Sequence, residues 1–232
     1  MKSKKTVVMA MSGGVDSSTD AYLLKKQEYN VIGITLRLFS NGSKCCNISD
    51  INDARFVAGK LNIPFYVLDF EKIFEEKVVD NFCSEYITGR TPNPCVICNE
   101  LVKFELLIKY AHEIGADYIA TGHYAKNEYD NFFKRYVLKK GADIKKDQSY
   151  FLYRLNQEQL KKILFPLGYL TKDKIRAIAA EADLVTTQKK DSQEVCFITD
   201  DQYSSFIEKR ADIKFKEGDI INSDTGKIVG KH

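Results

Sequence analysis

No stretch of this sequence approaches the ~18 consecutive apolar residues that span a bilayer. The apolar run behind Lys2, Lys4 and Lys5 is shorter than the ~7–15-residue core of a secretory signal. The expected location is cytoplasmic, with no membrane partner. Neither sign of charge dominates: 35 Lys and Arg oppose 32 Asp and Glu, a net charge of +3, which excludes a blanket electrostatic grip on nucleic acid. Any RNA contact has to come from local patches. The lysine pairs at 139 and 140, 145 and 146, 161 and 162, and 189 and 190 could supply them, although a solvated helix face explains each pair more simply when taken alone. Two familiar phosphate loops are also missing, since no Gly-Lys-Ser/Thr stands at Walker spacing and no Gly-x-Gly-x-x-Gly occurs.

What is present begins with 232 residues at 44% hydrophobic content, enough for one core and a smaller appendage. Strand-like runs at 6–11, 31–37, 65–70 and 117–121 alternate with helical spacing at 18–28, 51–61, 72–88 and 99–114. This alternation predicts α/β architecture with a parallel sheet and flanking helices. Further on, 129–139 reads as a hairpin, 147–164 and 171–184 as helical, and 218–232 as turn-rich and β-like around a turn at 224–227. A polar loop at 41–47, and the segment 89–99 with Pro92 and Pro94 presetting an extended backbone, interrupt the rhythm.

The strongest signal is the octapeptide Met11-Ser12-Gly13-Gly14-Val15-Asp16-Ser17-Ser18 directly after the first strand. Strand, glycine turn and helix start place backbone N–H groups and a positive helix end around a phosphate. Ser12, Ser17 and Ser18 add hydroxyl donors, and Asp16 suits a magnesium ion. The order Ser-Gly-Gly-x-Asp-Ser resembles the PP-loop of ATP pyrophosphatases, which cleave ATP between its α and β phosphates. In an open α/β sheet this loop belongs at the carboxyl edge, where strand order reverses.

Six cysteines in a reducing compartment point to redox, metal or catalytic use before structural disulfides. Cys95, Cys98 and Cys196 form the second constellation. It admits a structural zinc site, for which the four-ligand spacing is poor, an iron–sulfur cluster with one open site, or a redox or persulfide pair. The last needs a thiolate at neutral pH, which a helix starting at Asn99 would favour at Cys98. Cys83, inside a helical pattern, reads as a packing residue. His123, in Thr121-Gly122-His123-Tyr124, suits either a nucleic-acid contact or a satisfied strand-end histidine. Lys146-Asp147-Gln148-Ser149-Tyr150-Phe151 suits phosphate contact and base stacking, or equally a buried helix face.

Together these segments, with Phe165-Pro166-Leu167-Gly168 and Lys190-Asp191-Ser192-Gln193-Glu194-Val195-Cys196-Phe197-Ile198, closely resemble the tRNA-uridine 2-sulfurtransferases, the tRNA-specific 2-thiouridylases, over nearly the whole chain. The resemblance implies a PP-loop catalytic domain over 1–200, then a linker and incomplete β-rich domain over 201–232. It implies that ATP, with Mg2+, binds Ala10, Met11, Ser12, Gly13, Gly14, Val15, Asp16, Ser17, Leu36 and Gly122 and adenylates the C2 oxygen of a wobble uridine. Cys196 would carry persulfide sulfur and Cys98 would act as partner thiol, forming a disulfide as sulfur is released. Asn93, Pro94 and Cys95 match the segment that touches the target base, while His123, Lys146, Asp147 and Gln148 match tRNA contacts. The implied partners are a tRNA with a wobble uridine and a sulfur-donor protein, either a cysteine desulfurase or a sulfur carrier.

Many relatives have Asp where this chain has Cys95, which keeps open the same reaction through a 4Fe-4S cluster on Cys95, Cys98 and Cys196. Relatives also continue past the position of His232 into β-rich regions, so the chain reads as truncated relative to them and as short of RNA surface. Two rivals differ in what they leave idle. Another PP-loop reaction, such as amidation through an adenylate, leaves Cys98 and Cys196 without work. A nucleotide-binding module that has lost catalysis predicts ATP binding without pyrophosphate release.

Overall fold

The computed structural model describes residues 4–39, 47–189, 195–198 and 203–232. Most of the polar loop at 41–47, including Cys45 and Cys46, and the segment 190–194 ahead of Cys196 lie outside the described residues.

Val7, Val8 and Met9 have no exposed surface, the mark of a central strand covered on both faces. They form β1 (Thr6–Ala10), which leads into α1 (Val15–Lys26), β2 (Asn30–Arg37), α2 (Ile48–Lys60) and β3 (Phe65–Asp69). Next come two nearly continuous helical rods. The first joins α3 (Glu71–Phe74) to α4 (Asp80–Ile87) through a π-helical stretch at Glu75–Val79, and the second joins α5 (Pro94–Ile97) to α6 (Glu105–Glu113) through Cys98–Phe104. β4 (Tyr118–Ala120), a hairpin of β5 (Ala125–Asp130) and β6 (Arg135–Lys140), α7 (Gln157–Leu160), β7 (Ile163–Leu164) and α8 (Lys172–Glu181) follow. α9 (Tyr203–Ala211) and a second hairpin, β8 (Asp219–Ile221) with β9 (Ile228–Lys231), complete the described chain.

The main sheet has the order β3-β2-β1-β4-β7, with every pairing parallel. Strand order reverses between β1 and β4, and the glycine loop leaves β1 at that point. Alternation along β1 divides the core, because side chains of a strand point to opposite faces. Val8 joins Ile34, Phe74, Phe82, Val102 and Phe104 on the side of the two rods. Val7 and Met9 join Val15, Leu24, Val57 and Ala179 on the side of α1, α2 and α8. Among the described residues no helix is long and apolar enough to cross a membrane.

Two expectations are corrected and one helix is added. The stretch 147–164 is not one helix: a 3-10 turn at Ser149–Leu152, then α7, then β7, which supplies the fifth strand of the sheet. The second rod starts at Pro94, five residues before the predicted start at Asn99. Pro94 opens the helix instead of extending the loop, since its fixed φ and missing N–H suit the first helical position. Finally, α9 was not anticipated at all.

Candidate active site

The loop after β1 is fixed from both sides. The Met11 N–H donates to the carbonyl of Ile34 at 2.7 Å, and Thr35 Oγ1 donates to the Met11 carbonyl at 2.6 Å, so β2 holds the loop entrance. Ser17 Oγ accepts from the Ser12 N–H at 3.1 Å and lies 3.2 Å from Ser12 Oγ, drawing the loop over the first turn of α1. Gly13 takes φ +73°, and a Cβ there would stand 2.2 Å from the carbonyl oxygen of Asp50 in α2. Only glycine fits a backbone that is both left-handed and pressed against another backbone. No side chain caps α1 at Gly14, which leaves the helix start open for an anion.

β4 delivers Gly122 to the same place. A Cβ on Gly122 would fill the space 3.2 Å from the backbone nitrogen of Ser17, so its absence keeps the mouth of the helix clear. This cradle fits the phosphates of a nucleotide. Ala10 and Val15 bracket the loop, and Leu36 lies buried on β2 in the core on the other side of the sheet.

Asp16 is engaged by groups that the motifs did not identify. Its carboxylate accepts from the Tyr124 hydroxyl at 2.7 Å and from Lys172 Nζ at 2.8 and 2.9 Å. A single carboxylate beside a phosphate cradle suits Mg2+, which takes one or two protein carboxylates and completes its shell with phosphate and water. The sequence did carry a signal for Lys172: a lysine in the first turn of the helix predicted over 171–184, where the macrodipole favours an acid. One turn further along α1, Asp20 is fully buried against the backbone of Leu167. Burial, reinforced by the neighbouring Asp16, raises its pKa well above the usual carboxylate range.

The second cluster is built on the α5–α6 rod. Asn93 caps it, its Oδ1 accepting from the N–H groups of Cys95 and Val96 at 3.1 and 3.3 Å. Its Nδ2 donates to the Tyr150 hydroxyl at 3.1 Å, and Asn99 Nδ2 donates to the Phe151 carbonyl at 3.2 Å. Thus 93–99 and 146–151, predicted separately, are brought together. Within the latter, Asp147 accepts from the Gly141 N–H at 2.8 Å and Gln148 Oε1 accepts from the Tyr124 N–H at 3.0 Å. Both side chains therefore hold the loop beneath Lys146 and the exposed Tyr150.

Cys95 is exposed at the second helical position, while Cys98 is buried one turn deeper, at the start of the π-helical stretch. The earlier helix start removes Cys98 from the helix terminus, and dipole stabilisation of its thiolate goes with it, since that effect falls off within the first turn. Cys98 lies in the apolar cluster of the two rods, and Cys196 packs against that cluster. Phe197 anchors this segment, with ring centres 5.3 Å from Phe82, 5.7 Å from Phe74 and 5.6 Å from Phe206. Among the described residues no three His, Cys, Asp or Glu side chains converge as a metal site. The three cysteines as placed do not form the ligand set of a cluster. Cys83 is buried in α4, and burial pushes its thiol pKa up.

His123 sits between the rings of Phe104 and Phe165, at 5.7 and 6.0 Å, with Nδ1 2.7 Å from Thr121 Oγ1. Burial, with a smaller contribution from Lys103, lowers its pKa to about 3. The imidazole is neutral at physiological pH, so any contact it makes with RNA is a hydrogen bond or stacking, not an ion pair.

Lys189 ties the approach to the Cys196 segment onto α2, donating to Asp50 at 2.6 Å and to Asp53 at 2.5 Å. Asp50 is the residue whose backbone backs Gly13. The sequence flagged Lys189 only as half of a lysine pair.

Residues 5–200 match the family described as tRNA methyl transferase HUP domain. The chain is 49% identical over 234 residues to a tRNA-specific 2-thiouridylase of Clostridioides difficile (strain 630), covering 98% of this chain and 64% of that protein. It is likewise 49% identical over 238 residues to one of Acetivibrio thermocellus, covering 99% and 66%. The chain thus spans about two thirds of the length of the curated relatives it matches. Among solved structures, a 4-thiouridine synthetase in complex with RNA and bound ATP aligns with a TM-score of 0.57 at 17% identity, over 83% of this chain and 44% of that one. A U34-tRNA thiolase of Methanococcus maripaludis with its 4Fe-4S cluster aligns with a TM-score of 0.53 at 23% identity, over 91% and 64%. At such identities these two likenesses establish the shared fold.

Proposed function

Since the chain belongs to the tRNA methyl transferase HUP-domain family, as a relative of the tRNA-specific 2-thiouridylases, we propose that it uses ATP to replace the C2 oxygen of a tRNA uridine with sulfur. The observation that carries this reading is the pairing of two chemistries in one fold. An open phosphate cradle lies at the reversal of strand order, and two cysteines distant in sequence, Cys98 and Cys196, share one apolar cluster.

In the first half, the uridine C2 oxygen bonds to the α-phosphorus of ATP, pyrophosphate departs, and C2 acquires AMP as its leaving group. The N–H groups at the start of α1 bind phosphate, and Ser12 and Ser17 shape the loop. Asp16 would hold Mg2+, which supplies charge neutralisation for the polyphosphate. Tyr150, beside Asn93, offers a stacking surface for a base flipped out of the RNA.

In the second half, Cys196 receives sulfur from a donor protein as a persulfide. The Cys98 thiolate attacks Sγ of Cys196, the bond from that Sγ to the outer persulfide sulfur breaks, and hydrosulfide leaves while a Cys98–Cys196 disulfide forms. Hydrosulfide displaces AMP from C2, and a thiol reductant resets the disulfide. This half is written through the thiols because the cysteines as placed do not gather into a cluster.

The test is the nucleotide product. With tRNA and ATP labelled at the α-phosphate, the reading expects AMP and pyrophosphate in a tRNA-dependent manner. Cleavage to ADP and phosphate, or turnover indifferent to tRNA, overturns it.

A further inference from the structure

Lys189 is a cation shared by two carboxylates of another element. Its Nζ donates to Asp50 at 2.6 Å and to Asp53 at 2.5 Å, and both acids stand on α2. The backbone around Lys189 is already held without that side chain. Arg176 of α8 donates to the Thr187 and Lys189 carbonyls at 2.7 and 3.3 Å, and the Lys189 N–H donates to the Thr186 carbonyl at 3.0 Å. What the ammonium adds to these bonds is a tie from this segment to α2. Asp50 is buried, with 7% of the residue exposed, so the pair is shielded from the solvent screening that makes surface ion pairs weak.

Asp50 makes a second contact. Its carbonyl oxygen is the atom that a Cβ on Gly13 would meet at 2.2 Å, so the backbone of Asp50 lies against the phosphate loop while its carboxylate holds Lys189. That carboxylate is itself fixed, because its other oxygen accepts from the Asn47 N–H in the capping box of α2. Seven positions after Lys189 comes Cys196. Its neighbour Phe197 is seated among the rings of Phe39, Phe74 and Phe82, in the cluster that also contains Cys98. Cys196 thus lies between two anchors, a charge clamp backed by the phosphate loop and an aromatic cluster on the other side of the sheet.

We propose that Lys189 is a positioning residue for sulfur transfer: its clamp on Asp50 and Asp53 fixes the Cys196 segment relative to the phosphate loop, so that sulfur is delivered to the uridine activated there. The inference rests on the thiolation reading above. Lys189 touches no reacting atom and acts through Cys196. Without its ammonium the cradle of Gly13, Gly14 and Gly122 remains, and adenylation of the C2 oxygen still releases pyrophosphate. Sulfur transfer then slows, and water takes its place. Water adds at C2, the bond from C2 to the AMP oxygen breaks, and AMP leaves with that electron pair. Uridine is regenerated, one proton of the water passing to N3 and the other to solvent. ATP is consumed without sulfur being incorporated.

The experiment measures thiouridine formed per pyrophosphate released by wild type, Lys189→Met and Lys189→Arg, in the whole chain with tRNA, ATP and a persulfide-generating sulfur donor. This ratio does not depend on how much of each preparation is folded, so a loss of stability alone does not move it. Lys189→Met is expected to lower it by about 10- to 100-fold, the order by which a small misplacement of a reacting group slows a step. Lys189→Arg, whose guanidinium still bridges two carboxylates, should recover part of the loss. A second readout needs no turnover: alkylation of Cys196 by iodoacetamide, followed by peptide mass spectrometry, should be about threefold or more faster in Lys189→Met, since thiol reactivity follows access. If Lys189→Met keeps the wild-type ratio, or its Cys196 is alkylated at the wild-type rate, the proposal is overturned. Should Lys189→Met fail to fold by thermal melt, Asp53→Asn makes the same two comparisons, with the same directions expected and a smaller effect because the Lys189–Asp50 pair is kept. Wild type that forms no thiouridine refutes the thiolation reading instead, and the alkylation comparison still decides the clamp.

Discussion

Replacing Gly13 with alanine separates two costs that the PP-loop backbone imposes. At φ +73° a Cβ meets left-handed strain of about 1–2 kcal/mol. It also lands 2.2 Å from the carbonyl oxygen, 2.8 Å from the carbonyl carbon and 2.9 Å from the Cα of Asp50. Asp50 cannot easily yield, because its carboxylate closes a capping box with Asn47 and accepts from Lys189. Overpacking against such a backbone adds about 1–3 kcal/mol, for a total of about 2–5 kcal/mol. Gly115 provides the control: it has the same φ of +73° with nothing within 4 Å of its would-be Cβ. Gly115→Ala carries only the strain, and the unfolded-state entropy gained by replacing glycine cancels between the variants. Urea unfolding should therefore place Gly13→Ala about 1–3 kcal/mol below Gly115→Ala, and its melting temperature about 5–15 °C below wild type. Affinity for ATP should fall with it, since the loop must shift off α2. If the two alanine variants agree within about 0.5 kcal/mol, the close packing of loop on α2 is wrong.

Two further predictions concern charge. Lys189→Met leaves Asp50 and Asp53 facing each other without their shared cation, and should cost about 1–3 kcal/mol in chemical denaturation; Asp53→Asn, which keeps the Lys189–Asp50 pair, should cost less, and equal losses would contradict the clamp. His123 has its pKa depressed to about 3 against about 6.5 in the unfolded chain, so protonation favours unfolding. Its contribution to stability is complete above pH 6.5 and drains away as pH falls toward 3. Between pH 7 and pH 5 wild type should lose about 1–2 kcal/mol more than His123→Asn, and parallel pH profiles for the two proteins would refute the neutral imidazole.

The sequence was most legible where one physical signal acted alone. β1 to β4 read directly as short apolar runs, and the octapeptide after β1 located the cradle because strand, glycines and helix start are local features. Cys83 read correctly as a packing residue for the same reason. Legibility failed where tertiary pairing decided the outcome. β7 is two residues long and is a strand only because β4 offers it a partner, so helical spacing across 147–164 concealed it. Pro94 was read by its stiffness and not by its fitness for the first helical position, which misplaced Cys98 relative to the helix end. Lys172 and Tyr124 reach Asp16 from distant elements, and only the inverted charge at the start of α8 hinted at it.

The central claim is that ATP-driven activation and cysteine-borne sulfur act on one uridine. Its most direct test is a mass spectrum of tRNA after incubation with the protein, ATP and a persulfide-generating sulfur donor, run beside Cys196→Ser. The account predicts a uridine in which sulfur has replaced oxygen, requiring ATP and lost in Cys196→Ser, while that variant still releases pyrophosphate. Sulfur incorporation by Cys196→Ser at the wild-type rate would contradict it.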